Sequence, residues 1–273
     1  MRKSTALALI VLTLSSCAPF SGGGQGQTKT APVPQQPPPQ ASKPSPKEKA
    51  EGYYQIGISY LRLGEIPLAL NYLFKAKKLS PRDPKIYNAI GVAFLKRGDL
   101  SKAEENFLKA IKLKKDFSES YLNLGIVYEE RGNYQKAREY YNKALSNPLY
   151  LTPEVAYYRL ALLDLKEGRR KEAKKNLVRA LRNNPDYIPA YLELAKLLTD
   201  EGNTERAKEI YFRLIGLYPK LQPPYCALGE IYLKEKKLKI AKKYFKKCME
   251  IDPASGLGIK AKLKLEEIDE QTP

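Results

Sequence analysis

The sequence contains no histidine. That excludes a Ser-His-Asp triad, a His-based acid/base pair and any His metal ligand. Cysteine is scarce, with three residues and no CxxC spacing, so a structural zinc site or an iron–sulfur cluster is excluded as well. Neither GxxxxGK followed by Ser or Thr nor GxGxxG occurs, and the common phosphate-cradling loops are therefore missing. Acidic residues are the minority charge: 30 Asp+Glu stand against 48 Lys+Arg, a formal net charge of +18. What is present suffices for a sizeable core, because a chain of 273 residues can bury roughly three quarters of its unfolded surface. One or two domains fit that length. These exclusions lead us to expect no catalysis, no cofactor, no metal and no small-molecule substrate.

The N-terminus has an export pattern. Arg2 and Lys3 precede an apolar run from Ala6 to Leu14, which is shorter than the ~20 residues a permanent transmembrane helix needs. The run ends in Leu14-Ser15-Ser16-Cys17. This resembles the lipobox of bacterial lipoproteins, and the resemblance implies a signal peptide over 1–16 and lipidation of the Cys17 thiol. Several acyl chains on one residue give a stable anchor where a single chain gives marginal binding. Ala18 stands where an Asp would signal inner-membrane retention, which points to an outer-membrane, periplasm-facing location. A general secretory signal with a chance cysteine is the alternative. After Cys17, residues 18–49 hold Gly22-Gly23-Gly24, Pro32, Pro34, Pro37-Pro38-Pro39, Pro44 and Pro46 among Gln and Ser. With little to bury, the stretch 17–49 reads as a disordered, partly polyproline II tether able to reach roughly 100 Å.

From residue 50 the chain repeats itself, with starts at 50, 84, 118, 154, 188 and 222. The fourth position is always tyrosine: Tyr53, Tyr87, Tyr121, Tyr157, Tyr191 and Tyr225. The eighth is small (Gly57, Gly91, Gly125, Ala161, Ala195, Gly229) and the twentieth is alanine in all six. Glycine occupies the fifteenth position in five repeats, where a first helix must stop and turn, whereas the sixth has Lys236. Two antiparallel helices per repeat explain the pattern: small residues let the backbones approach and aromatics fill the gap.

This pattern resembles the tetratricopeptide repeat, with tyrosine in place of the usual tryptophan. The first repeat shows Tyr53-x2-Ile56-Gly57-x2-Tyr60, then Ala69-x3-Leu73, then Pro81. The resemblance implies an all-α fold, a right-handed superhelical solenoid of six repeats over 50–255. Residues 256–273, with Ile259, Leu263, Leu265 and Ile268 among charges, read as a C-terminal capping helix over the open end.

In such arrays positions 5, 9 and 12 of the first helix line the concave face. Here they include Tyr54, Ile58, Leu61, Val92, Leu95, Leu122, Ile126, Tyr158, Leu162 and Leu165. An aliphatic stripe of that length marks a partner site, and an apolar protein segment is the expected occupant. The charge is uneven: repeats one, two, four and six carry +2, +4, +4 and +4, while three and five are neutral. Lys242, Lys243, Lys246 and Lys247 share one side of the last repeat's second helix. They read as a solvated face or as an attractor for anionic headgroups, cell-wall polymer or an acidic partner. Nucleic acid is not expected, because the export signal takes the chain away from it. Cys226 and Cys248, at positions 5 and 27 of the sixth repeat, fall at similar heights on antiparallel helices and could bond in an oxidising periplasm. Position 5 points partly toward the groove, however, so their Cβ vectors could also diverge.

The one irregular step lies between repeats three and four, within Asn147-Pro148-Leu149-Tyr150-Leu151-Thr152-Pro153-Glu154. A lipobox, six repeats and this junction followed by Ala156-Tyr157 resemble the type IV pilus biogenesis/stability lipoproteins, often called pilotins. That resemblance implies an outer-membrane lipoprotein that binds a secretin subunit and assists secretin assembly. The long Pro-rich tether and high lysine content depart from it. A general periplasmic scaffold that recruits cell-wall enzymes or envelope assembly factors is the alternative reading.

Overall fold

The computed structural model describes residues 43–270. The export signal, Cys17 and the stretch through residue 42 lie outside the described residues. The first helices of the six repeats are α1 (Pro46–Leu63), α3 (Pro84–Lys96), α5 (Ser118–Glu130), α7 (Pro153–Lys166), α9 (Ile188–Asp200) and α11 (Gln222–Lys234). Their partners are α2 (Ile66–Leu79), α4 (Leu100–Leu113), α6 (Tyr134–Leu145), α8 (Arg170–Asn183), α10 (Thr204–Leu217) and α12 (Leu238–Ile251). A final helix, α13 (Gly256–Glu270), closes the stack. There is no strand among the described residues. Every helix packs on its sequence neighbours, and successive first helices touch along one side (α1 with α3, α3 with α5, α9 with α11, α11 with α13). The result is an all-α solenoid whose core is a series of local interfaces.

The first helix starts four residues before the repeat register. Ser45 caps it: its hydroxyl accepts from the Glu48 N–H, while the Glu48 carboxylate accepts from the Ser45 N–H at 2.7 Å. Pro46 fits the first helical turn because its missing N–H would be unpaired there. Residues 46–49, expected in the tether, therefore belong to the array.

Within each repeat the eighth position faces the twenty-fourth. A Cβ at Gly91 would fall 2.5 Å from the Phe107 ring, one at Gly229 would fall 2.7 Å from Phe245, and Gly125 sits just as tightly under Tyr141. Only a bare Cα permits these approaches. The alanines at position 20 are all fully buried.

Each first helix then ends in a left-handed residue, at φ 79° for Gly64, 82° for Gly98, 74° for Gly132 and Gly168, and 79° for Gly202. The following N–H reaches back to the carbonyl five residues earlier, as in Glu65 to Tyr60 and Asn133 to Tyr128. That closure satisfies carbonyls that the helix end leaves free. The sixth repeat makes the same bond, Lys237 N–H to the Tyr232 carbonyl at 2.9 Å, with Lys236 at φ 60°. A side chain there costs about 1–2 kcal/mol of left-handed strain, against ~0.5–1 kcal/mol of extra chain entropy for glycine. Lys236→Gly is thus expected to stabilise the array by about 0.5–1 kcal/mol. Urea unfolding checks this, and a lower midpoint for the variant would contradict it.

The position-4 tyrosines need a correction. Tyr87 and Tyr225 are buried core fillers, but Tyr53, Tyr121, Tyr157 and Tyr191 are half-buried. Position 4 stands at the seam between repeats: Tyr87, Tyr121 and Tyr225 donate their hydroxyls to the carbonyls of Pro81, Lys115 and Pro219 at 2.9–3.0 Å, so the preceding turn, not the ring's own helix pair, sets how far each is covered.

A ladder of ion pairs joins consecutive repeats at matching positions. The twenty-first residue of one repeat meets the fourteenth of the next: Glu104–Arg131 at 2.5 Å, Arg138–Glu167 at 2.7 Å, Lys174–Glu201 at 3.1 Å and Lys208–Glu235 at 2.5 Å. Lys242–Asp269 at 2.5 Å continues it onto α13. The last helix thus occupies the place of a seventh first helix. Among the described residues no second helix covers it, and Ile259 and Leu263 are exposed, at 53 % and 54 %, while Leu265 and Ile268 are buried. Of the four apolar residues expected to cap the end, only those two face the stack.

Candidate partner-binding groove

The side along which first helices touch one another is the candidate site. Tyr54 and Ile58 on α1, Val92 and Leu95 on α3, Leu122 and Ile126 on α5, and Tyr158, Leu162 and Leu165 on α7 are all half-buried. Leu61 is different. It is 6 % exposed and sits in the core cluster with Leu70, Ile90 and Phe94, so its apolar surface is already covered and it offers nothing to a partner. Most of the others rest against the same cores along one edge, which leaves a strip of partial apolar faces.

Polar side chains fix the strip between helices. The Asn88 carbonyl oxygen accepts from Ser120 Oγ at 2.9 Å and from Asn123 Nδ2 at 3.0 Å, tying α3 to α5. Tyr158 meets Tyr187 edge to face at 5.6 Å. Burial, then the Glu51, Asp83 and Glu119 carboxylates, push the Tyr54 hydroxyl above its ordinary pKa. Burial, then Glu193, do the same for Tyr158. Both phenols therefore stay neutral hydrogen-bonding groups at any physiological pH.

A cavity also opens along this side beyond the stripe of the first four repeats. Of about 390 Å³, it lies between α9, α11 and α13, with Leu192, Cys226, Ala227, Leu257 and Ala261 on its walls and Glu193, Lys196, Glu230 and Lys260 around them. These are positions 2, 5, 6 and 9 of the last two repeats and of α13. The signal that could have found them is the register itself, carried into α13, which sequence reasoning had treated only as a cap.

Cys226 and Cys248 are disulfide-bonded, with Cα atoms 5.2 Å apart, and the bond staples α11 to α12 beneath this cavity. A closure over 22 residues stabilises by about 3 kcal/mol through chain entropy. Dithiothreitol is expected to lower unfolding stability by about that amount. The Cys226→Ser/Cys248→Ser double variant should show the loss without reductant and no further response to it.

Two carboxylates, Glu104 and Glu129, have structural partners. Glu104 accepts from the Tyr128 hydroxyl and Arg131, each at 2.5 Å. Burial alone would raise its pKa, but those two donors outweigh it and hold the carboxyl below its ordinary range. Glu129 accepts from the Tyr141 hydroxyl at 2.7 Å and from Lys166 at 3.0 Å. No group of three or more His, Cys, Asp or Glu that could hold a metal occurs among the described residues. No helix among them is long and apolar enough to cross a membrane.

Family models described as tetratricopeptide repeat match residues 54–116, 88–150, 164–229 and 223–255, together well over half of the chain. The chain belongs to the tetratricopeptide repeat family. Arrays of this family are generally non-catalytic scaffolds that bind protein partners. No curated protein matches the sequence. Among solved structures, pilF of Pseudomonas aeruginosa aligns with a TM-score of 0.68 and 21 % identity over 80 % of this chain and 99 % of its own. PilW, a widely conserved type IV pilus biogenesis factor, aligns with a TM-score of 0.67 and 23 % identity over 77 % and 97 %. YrrB, a tetratricopeptide repeat protein with an unusual peptide-binding site, gives 0.52 and 22 % over 70 % and 97 %. At these identities the likeness is one of fold.

Proposed function

We propose that this tetratricopeptide array is an outer-membrane lipoprotein, anchored through Cys17 and facing the periplasm, that holds an apolar segment of a secretin subunit in its groove and assists assembly of the type IV pilus secretin. The observation that carries the reading is the strip of half-buried apolar side chains along α1, α3, α5 and α7, each still partly open to an apolar segment. Support for the pilus link comes from pilF and PilW, whose folds this chain matches over nearly their whole lengths. The lipobox Leu14-Ser15-Ser16-Cys17 supports the anchor.

Ile126→Lys or Leu162→Lys places a charge in the strip without entering the buried core. Either is expected to abolish crosslinking to the secretin subunit in the intact envelope, and with it secretin multimers, while circular dichroism stays helical. Normal capture and assembly by a folded Leu162→Lys protein would overturn the groove assignment. Separately, Cys17→Ala should remove acyl labelling, and a variant still labelled would overturn the anchor.

A further inference from the structure

The outer face of α12 carries a stripe of a different kind. Lys239, Lys242, Lys243, Lys246 and Lys247 recur at intervals of three and four, so they occupy one face of the helix, opposite the buried Ala241, Phe245 and Cys248. Lys242 pairs with Asp269 and Lys247 with Glu250, but Lys239, Lys243 and Lys246 are exposed and have no acidic partner among the described residues. The lysine stems, the rings of Tyr225 and Tyr244, and Glu250, which pairs with Lys247, line an open cavity of about 690 Å³. Two further apolar side chains lie beside the stripe: Ile240 is 41 % exposed, and Phe212 on α10 is 42 % exposed with its ring 6.3 Å from that of Tyr244.

We propose that this face docks on an anionic phospholipid bilayer. Each lysine near an anionic surface adds favourable energy, and Lys239, Lys243 and Lys246, which no acid among the described residues neutralises, add it together on one face. Three features favour a bilayer over an acidic polymer or protein. The cations are lysines, flexible point charges suited to a fluid layer of headgroups, where a fixed carboxylate partner would favour the planar fork of arginine. The apolar side chains beside them have no use for a hydrophilic polyanion, whereas the boundary between headgroups and acyl chains takes aromatic and aliphatic groups. The long stems can extend to the headgroups while those apolar groups lie below. The surface is on the second helix of the sixth repeat, distinct from the groove, so docking would leave the groove's residues unoccupied.

The test uses the full chain carrying Cys17→Ser, so that no acyl chain contributes. Sedimentation is compared with vesicles of phosphatidylcholine alone and of phosphatidylcholine mixed with phosphatidylglycerol; the apolar run near the N-terminus acts on both alike. Binding is expected with phosphatidylglycerol only, and it should weaken as salt is raised. The Lys239→Gln/Lys243→Gln/Lys246→Gln variant, checked for an unchanged melting temperature, should bind about 100-fold more weakly. Lys171→Gln/Lys175→Gln on α8, which removes two cations from another basic helix, should bind almost as the parent does. Equal sedimentation with both vesicles, an unaffected triple variant, or an equal loss from the α8 variant would each overturn the proposal. So would tight binding to soluble polyphosphate with no preference for phosphatidylglycerol, which would point to an acidic polymer.

Discussion

Replacing Asp164 with alanine is expected to destabilise the array by about 2–3 kcal/mol, loosening the joint between the third and fourth repeats. Asp164 is 1 % exposed, the most enclosed carboxylate in α7. Its Oδ1 pairs with Arg138 of α6 at 2.9 Å and with Arg169 at 2.9 Å, and its Oδ2 accepts from Asn176 of α8 at 2.8 Å. Arg138 and Arg169 also share Glu167. One buried anion therefore organises groups from three helices across the joint that carries the two-residue insertion. Its removal leaves the buried Asn176 amide without its acceptor and the two guanidiniums with Glu167 as their shared carboxylate, and the lost charge-assisted hydrogen bonds carry the cost. Asp164→Asn should recover only part, because it keeps the shape and loses the charge. Chemical denaturation followed by circular dichroism measures both, and a loss under 1 kcal/mol would show the network to be incidental.

The second large effect is expected at Phe107, whose ring is fully buried over Gly91. Phe107→Ala should cost about 3–5 kcal/mol, because a dense interior collapses only partly into the void. Gly91→Leu alone should also destabilise, since its Cβ would overlap the ring and overpacking typically costs about 1–3 kcal/mol. Combined, the two changes should cost less than their sum, because the leucine enters the space the ring vacates. Such coupling is expected between contacting residues and absent between distant ones. A double variant that loses the full sum would mean that the eighth and twenty-fourth positions do not share one volume.

The repeat was legible in the sequence because its determinants are steric and local. Bare Cα atoms at position 8, alanine at position 20 and a left-handed residue at position 15 each answer a contact within one helix pair. Features that depend on helix rotation or on neighbouring repeats were not. Spacing placed Cys226 and Cys248 at the same height, but whether their Cβ vectors converge depends on how α11 and α12 are turned, and they converge. Leu61 matched the position-12 pattern yet is enclosed by the core, while the tyrosine pattern could not tell a buried ring from a half-buried one. The contribution of α13 to the cavity was not legible, because that helix carries the register without the small residue at position 8 that marks it, having Leu263 there.

The ion-pair ladder has a polarity, and polarity determines which repeats can be exchanged. From the third repeat onward a base at position 21 meets an acid at position 14, but the second repeat offers Glu104 to Arg131, the reverse sense. Excising residues 188–221 would bring Lys174 opposite Glu235 and leave a matched joint. Excising residues 118–153 would set Glu104 against Glu167, two carboxylates at a contact that evolved for one. The last three repeats and the closing helix are therefore modular, free to be shortened or lengthened by whole units, whereas the second and third form a keyed pair. Through that key, a stack of near-identical parts specifies where its beginning is.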